Sequence, residues 1–275
     1  VVRRLCRPVA IVAALAALAL AAAPAGARAD GPTLDPSFGT GGLSLLTRAN
    51  DATIAALLVL PDGRILAAGQ ERTVGFLVAR YRADGSLDPT FGTNGVTTTP
   101  IGLNGNAGAG ALALQGDKIV LEGTSWNASN DAVATVARYT AEGQLDTMFA
   151  AGAGWAQISS AYARFGNGVA IQPDRRILIG GANNGAVVMR LGADSGALDP
   201  SFNGIGAAVI PGNLGGCSDD ASSGVRNLFV TPAGIVAGIL CGGRNGTLES
   251  AGLVRFTDTG GLDPHMPQHA SGIAP

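Results

Sequence analysis

Leu34-Asp35-Pro36-Ser37-Phe38-Gly39 returns as Leu87-Asp88-Pro89-Thr90-Phe91-Gly92, and that recurrence decides the fold. Looser copies follow at Leu145-Asp146-Thr147-Met148-Phe149, Leu198-Asp199-Pro200-Ser201-Phe202 and Leu262-Asp263-Pro264-His265-Met266. The spacings are 53, 58, 53 and 64 residues, so the box opens units at 34–86, 87–144, 145–197 and 198–261, and a truncated box occupies 262–266. A fixed period of this size marks a repeat architecture rather than a conventional single-core domain.

The interior of each unit repeats as well. Two aliphatic runs flank a turn: Ile54–Leu60 and Arg64–Ala68 around Pro61-Asp62-Gly63, then Ala111–Leu114 and Lys118–Leu121 around Gln115-Gly116-Asp117. Val169–Ile171 and Arg175–Ile179 flank Gln172-Pro173-Asp174, and Asn227–Val230 and Ile235–Leu240 flank Thr231-Pro232-Ala233-Gly234. Pro, Asp and Gly supply the dihedrals that reverse a chain, so these are β-hairpins. A third run follows in each unit (Gly75–Tyr81, Ala132–Tyr139, Ala186–Leu191, Ala251–Phe256), and the next box leads into a short fourth one. These fourth runs are Gly42–Leu46, Gly95–Thr99, Trp155–Ser159 and Ala207–Ile210. Four antiparallel strands per ~55-residue repeat predict an all-β protein, a β-propeller of four blades. The count leaves Gly42–Leu46 without a blade of its own and the last blade without a fourth strand. The N-terminal strand is therefore expected to close the last blade; the rival is an open four-unit arc that closes by dimerising.

The Leu-Asp-Pro-Ser/Thr-Phe-Gly box, the Pro-Asp-Gly hairpin and the Ala-Arg-Tyr ending of the third run (Ala79-Arg80-Tyr81, Ala137-Arg138-Tyr139) resemble the delta-60 repeat, an uncharacterised bacterial β-propeller family. The resemblance covers about residues 34–266, is sharpest in the first two units, and implies fold and export rather than an activity. Unit three departs from it at Thr147, and unit four at Asn203 and in its hairpin.

Arg3, Arg4 and Arg7 precede an apolar run from Val9 to Ala23, and Ala27-Arg28-Ala29 follows. Basic start, apolar stretch and A-x-A site make residues 1–29 a helical, cleavable signal peptide, with an uncleaved anchor as the alternative. The expected location is secreted or periplasmic, with no membrane attachment after cleavage. Cleavage at this site removes four arginines and leaves 14 basic and 20 acidic residues. That balance speaks against a nucleic-acid partner, which needs a basic stripe to displace counterions. Only 14% of residues are charged but 47% are hydrophobic, which excludes a disordered chain.

Phe38, Phe91, Phe149 and Phe202 hold one position in every unit. Packing between blades is the expected use; an aromatic ligand surface is the alternative. Arg80, Arg138, Arg190 and Arg255 precede Asp88, Asp146, Asp199 and Asp263 by eight or nine residues, a spacing suited to a bidentate structural tie in each blade. The neighbouring acids read as turn formers rather than a calcium loop, because no D-x-D-x-D-G series is present. Cys217 and Cys241 fit a disulfide in an exported chain, against two free thiols. His265 and His269 are the only histidines and lie in the tail, so no Ser-His-Asp device, His-based metal site or cofactor is expected in the ring. The longest excursions, Thr124–Asp131 and Gly212–Gly224, carry the candidate binding residues Trp126, Asn127, Asn130, Asp219 and Asp220. The sequence thus reads as a non-enzymatic binding or interaction module for an unknown protein or glycan, monomeric or dimeric. The alternative is a hydrolase or lyase using carboxylates at the propeller mouth.

Overall fold

The computed structural model describes residues 33–159, 165–182, 185–210, 224–242 and 248–264. The signal segment 1–29, Cys217, Asp219, Asp220 and the histidines lie outside the described residues. Blade 1 contains β1 (Ala52–Val59), β2 (Ile65–Glu71), β3 (Gly75–Tyr81) and β4 (Val96–Pro100), paired in that order. Blade 2 contains β5 (Ala107–Gln115), β6 (Lys118–Trp126), β7 (Ala132–Tyr139) and β8 (Trp155–Gln157). Blade 3 contains β9 (Phe165–Ile171), β10 (Ile177–Ala182), β11 (Ala186–Leu191) and β12 (Ala207–Val209). Blade 4 has β13 (Gly224–Thr231), β14 (Gly234–Gly242) and β15 (Leu248–Phe256). Every pairing is antiparallel, and the described residues contain no α-helix.

The turns form for local reasons. Gly63 takes φ 85°, and its N–H closes the first hairpin on Leu60 O, while Asp62 Oδ1 accepts the Arg64 N–H at 3.0 Å. The first strands β1, β5, β9 and β13 pack one against the next, forming the inner row of the propeller. All four start earlier than the sequence suggests, β5 at Ala107 and β9 at Phe165 by the most, through stretches rich in glycine. The reason is close approach: a Cβ on Gly108 would stand 2.7 Å from Gln70 Oε1, and one on Gly166 only 1.7 Å from Glu122 Oε1.

Apolar side chains alternate along the strands and so fill a seam on each side of a blade. Leu66, Phe76, Val78 and Phe91 of blade 1 meet Ile119, Leu121 and Tyr139 of blade 2. Val120, Val136 and Phe149 meet Ile177, Ile179 and Met189, and Leu178, Val188 and Phe202 meet Val225, Leu228 and Ile235. No comparable packing joins β13 to β1 among the described residues.

Here the structure differs from the expectation for Gly42–Leu46. These residues form no ladder with β15; their neighbourhood holds one isolated bridge, Thr40 to Leu43, and blade 4 is three-stranded as described. The segment is instead fastened to blade 1. Leu46 covers part of the face built from Ala67, Leu77 and Tyr81. Gly39 N–H donates to Asp84 O at 2.6 Å and the Ser44 hydroxyl to Gly85 O at 2.7 Å. The same latch joins blades 1 and 2, where Gly92 N–H donates to Glu142 O and the Thr97 hydroxyl to Gly143 O.

Candidate recognition face

The strands have two ends, and their chemistry differs. At the hairpin end the repeated residues bind one another. Arg80 Nε lies 2.8 Å from Asp88 Oδ2, Arg138 Nε 2.8 Å from Asp146 Oδ2, Arg190 Nε 2.9 Å from Asp199 Oδ2 and Arg255 Nε 2.6 Å from Asp263 Oδ2. The backbone makes the offset possible, since the N–H of each of these aspartates donates to the carbonyl of its own arginine. The other carboxylate oxygen forms the turn: Asp88 Oδ1 accepts from the Thr90 N–H and hydroxyl, and Asp199 Oδ1 from those of Ser201. The Thr90 hydroxyl leads in holding the Asp88 carboxyl at about 2, below the usual carboxylate range, and burial opposes it.

Each inner arginine also crosses a seam. Arg80, Arg138 and Arg190 lie 4.8, 4.8 and 4.9 Å over the rings of Phe91, Phe149 and Phe202, and all three rings are fully buried. Their Nη1 atoms donate to carbonyls of the next blade, at Ala141, Ala193 and Asp258. A Cβ on Gly143, Gly196 or Gly260 would stand 2.6, 3.1 or 2.9 Å from those rings, so glycine makes room for each phenyl group. Two open depressions sit at this end, of about 510 Å³ beside Arg176 and Asp199 and about 210 Å³ beside Arg64 and Arg80. Arg176 in the first is paired with Asp174 and Asp199, and Arg64 in the second with Asp62, so the charges lining them are already engaged.

The opposite, loop end carries the connections between β2 and β3, β6 and β7, β10 and β11, and each link from one blade to the next inner strand. Asn127 does structural work there: its Oδ1 accepts the N–H groups of Ser129 and Asp131 at 3.0 and 2.9 Å. This Asx turn holds the 127–131 loop, with Asn130 exposed at its tip in a left-handed conformation (φ 62°). Trp126 is half-buried at the end of β6, where its backbone N–H donates to Asn106 O. The other long excursion joins β12 to β13 at this same end; Asp219 and Asp220 on it lie outside the described residues.

Trp126, Thr124 and Glu122 alternate along β6 on the face toward blade 3. Thr124 Oγ1 accepts the Gly166 N–H at 3.2 Å. Glu122 is fully buried, and neither carboxylate oxygen has a well-formed hydrogen bond among the described residues. Burial pushes its pKa well above the ordinary carboxylate value, and the nearby Gly168 N–H offsets this only in part. No local sequence pattern marks Glu122. Superposing the repeats reveals it, because Glu122 faces Val136 across the ladder where Ala68 faces Val78, Gly180 faces Val188 and Gly238 faces Leu253.

Residues 60–91 and 172–202 match a family model described as a domain of unknown function (DUF5122) beta-propeller. Those stretches run from the first hairpin of blade 1 through its box, and over the corresponding part of blade 3. No curated protein matches the chain significantly. Among solved structures, the GH43 endo-arabinanase from Bacillus licheniformis is 10% identical, with a TM-score of 0.37 over 78% of this chain and 76% of that one. Sqt1 from Chaetomium thermophilum is 12% identical, with a TM-score of 0.28 over 78% of this chain and 74% of that one.

Proposed function

We propose that the protein is an exported, non-catalytic β-propeller that holds a protein or glycan ligand at its loop end. The carrying observation is the division of labour between the two strand ends. At the hairpin end the repeated arginines, aspartates and phenylalanines are consumed by blade-to-blade contacts. The loop end departs from the repeat and presents Trp126 and Asn130 beside the 127–131 turn. Recognition belongs on loops that vary against a rigid frame. An indole beside amide groups is chemistry suited to a sugar ring or an extended peptide. In this reading residues 1–29 are removed on export, and a Cys217–Cys241 disulfide staples the 211–223 connection to blade 4.

Hydrolysis by mouth carboxylates has less support. At the loop end Glu71 is held by Arg48 at 2.9 Å and Asp51 faces Arg72 at 3.5 Å, while Glu122 is sealed from solvent. Affinity electrophoresis through soluble polysaccharides, with a glycan array and a panel of aryl glycosides and lactones, tests both readings. The expected result is retardation by one glycan class, lost in Trp126→Ala and weakened in Asn130→Ala, with no product released. Product formation that disappears in Glu122→Gln would overturn the non-catalytic reading.

A further inference from the structure

The two outer faces of the arc match the faces buried at its internal seams. Leu57 and Val59 lie opposite Ala67 and Ile65 on β2, in the register that Leu112 and Leu114 hold opposite Leu121 and Ile119 on β6. Leu112 and Leu114 pack in the seam with blade 1, whereas Leu57 and Val59 are 68% and 66% exposed. At the other end, Phe229 and Leu253 occupy the register of Leu58 and Val78, which pack in the seam with blade 2. Phe229 and Leu253 are 61% and 67% exposed.

The hairpin-end ties also differ at the two ends of the arc. Arg255 is paired with Asp263, yet among the described residues no aromatic ring lies over it, as one does over Arg80, Arg138 and Arg190. Phe38 packs on Gly85 as Phe91 packs on Gly143, yet no described guanidinium covers Phe38, and it is only half-buried. Ser44 makes the blade-to-blade bond that Thr97 makes, and Thr97 also pairs with Val78 on β3. The equivalent partner for Ser44 is Leu253 on β15, whose outer edge pairs with no described strand.

We propose that two copies of this chain join head to tail, blade 4 of each against blade 1 of the other, with residues 42–46 of one copy added to β15 of its partner. Each new seam then resembles an internal one: Leu57 and Val59 of one copy meet Phe229 and Leu253 of the other, and the edge of β15 gains a strand, while the box place beside Arg255 stays with that copy's own Leu262 and Asp263. Head-to-tail contacts of this kind generate a closed ring when the rotation closes. Two copies supply eight blades, within the usual range of four to eight. This inference stands apart from the loop-end ligand, which each copy presents separately.

Sedimentation equilibrium of the purified chain tests it, with Leu57→Asp and Phe229→Asp as probes. Both residues are exposed in the single chain, so each variant is expected to keep the wild-type circular dichroism. Wild type is expected at twice the chain mass. Each aspartate is expected to weaken association on the order of a hundredfold, as an unpaired charge at a buried interface does. Mixing the two variants is expected to restore a two-chain species through the one seam whose faces are both unaltered. A wild-type protein of single-chain mass overturns the proposal, as closure within one copy would require. So does a two-chain species that survives either aspartate, or two variants that fail to complement.

Discussion

Arg138 and Glu122 sit in the same seam, between blades 2 and 3, at opposite ends of it, and both are almost wholly removed from solvent. The hairpin half surrounds its charge with acceptors. Arg138 donates to Asp146, Gln115 and Ala193 O within 2.8 Å and lies over Phe149. Among the described residues, the loop half offers the Glu122 carboxylate nothing beyond the nearby Gly168 N–H. A buried charge is tolerated when hydrogen bonds replace the water it has lost. A buried carboxyl lacking them keeps its proton instead. One seam therefore shows both outcomes, and the contrast explains why the hairpin end repeats so faithfully. An arginine there cannot change alone, because its removal strands an aspartate and several carbonyls.

The strongest way to break this contrast is Arg138→Met, which keeps much of the side-chain volume and deletes the donors. It is expected to destabilise the protein by about 3–5 kcal/mol, the scale for leaving one partner of a buried ion pair alone. Urea unfolding followed by circular dichroism measures it. A variant with the wild-type midpoint would show that the tie contributes nothing. Acid probes the same contact from the other side. Asp146 is held below the usual carboxylate range: burial opposes its charge, but the Met148 N–H and Arg138 outweigh that penalty. Its contribution is therefore complete above the ordinary carboxylate pKa and is lost as pH falls through the depressed one.

The hairpin half was legible in the sequence and the loop half much less so. The Arg-to-Asp offset of eight or nine residues and the phenylalanine of the first four boxes show directly in a repeat, because each blade must meet its neighbours in the same way. The hairpins were equally plain, since Pro-Asp-Gly and its variants mark a reversal wherever they stand. The ends of the inner strands were obscured because Gly108, Gly110, Gly166 and Gly168 read as loop. At Gly108 and Gly166 the missing side chain answers a neighbouring strand, which no local pattern reports. Glu122 was hidden for a related reason. It stands inside Lys118–Trp126, an otherwise ordinary strand run, and only the comparison with Ala68, Gly180 and Gly238 marks it. The placement of Gly42–Leu46 depends on which of two faces wins the segment. Composition gives no preference, and in the structure the Asp84 and Gly85 carbonyls hold it on blade 1.

Glu122→Gln sharpens the contrast with an effect of opposite sign. Because the folded-state pKa is raised, folding takes up a proton between the ordinary carboxylate value and that higher one. The wild type is therefore most stable below that window and loses stability as pH rises through it. Glutamine has no proton to hold and removes this slope. The two proteins are expected to match near pH 4, with the variant the more stable one in mildly alkaline buffer. Thermal unfolding across that range checks it. Parallel curves for the two proteins would mean that Glu122 is already ionised in the fold.

The smallest expected effect isolates burial from pairing. Arg255 makes the same Nε bond to its aspartate as Arg138 does, but its side chain is 27% exposed against 2%. It also has no ring over it among the described residues. Water can then reach the remaining partner when one is removed, so the cost falls from the buried-pair scale toward the roughly 0–1 kcal/mol of a solvated pair. The measurement belongs in the Leu57→Asp background, so that contact between copies adds nothing to the result. Arg255→Met there is expected to move the urea midpoint by only a small fraction of the shift from Arg138→Met. Equal shifts would mean that the salt bridge itself, rather than its removal from solvent, gives the internal seams their strength.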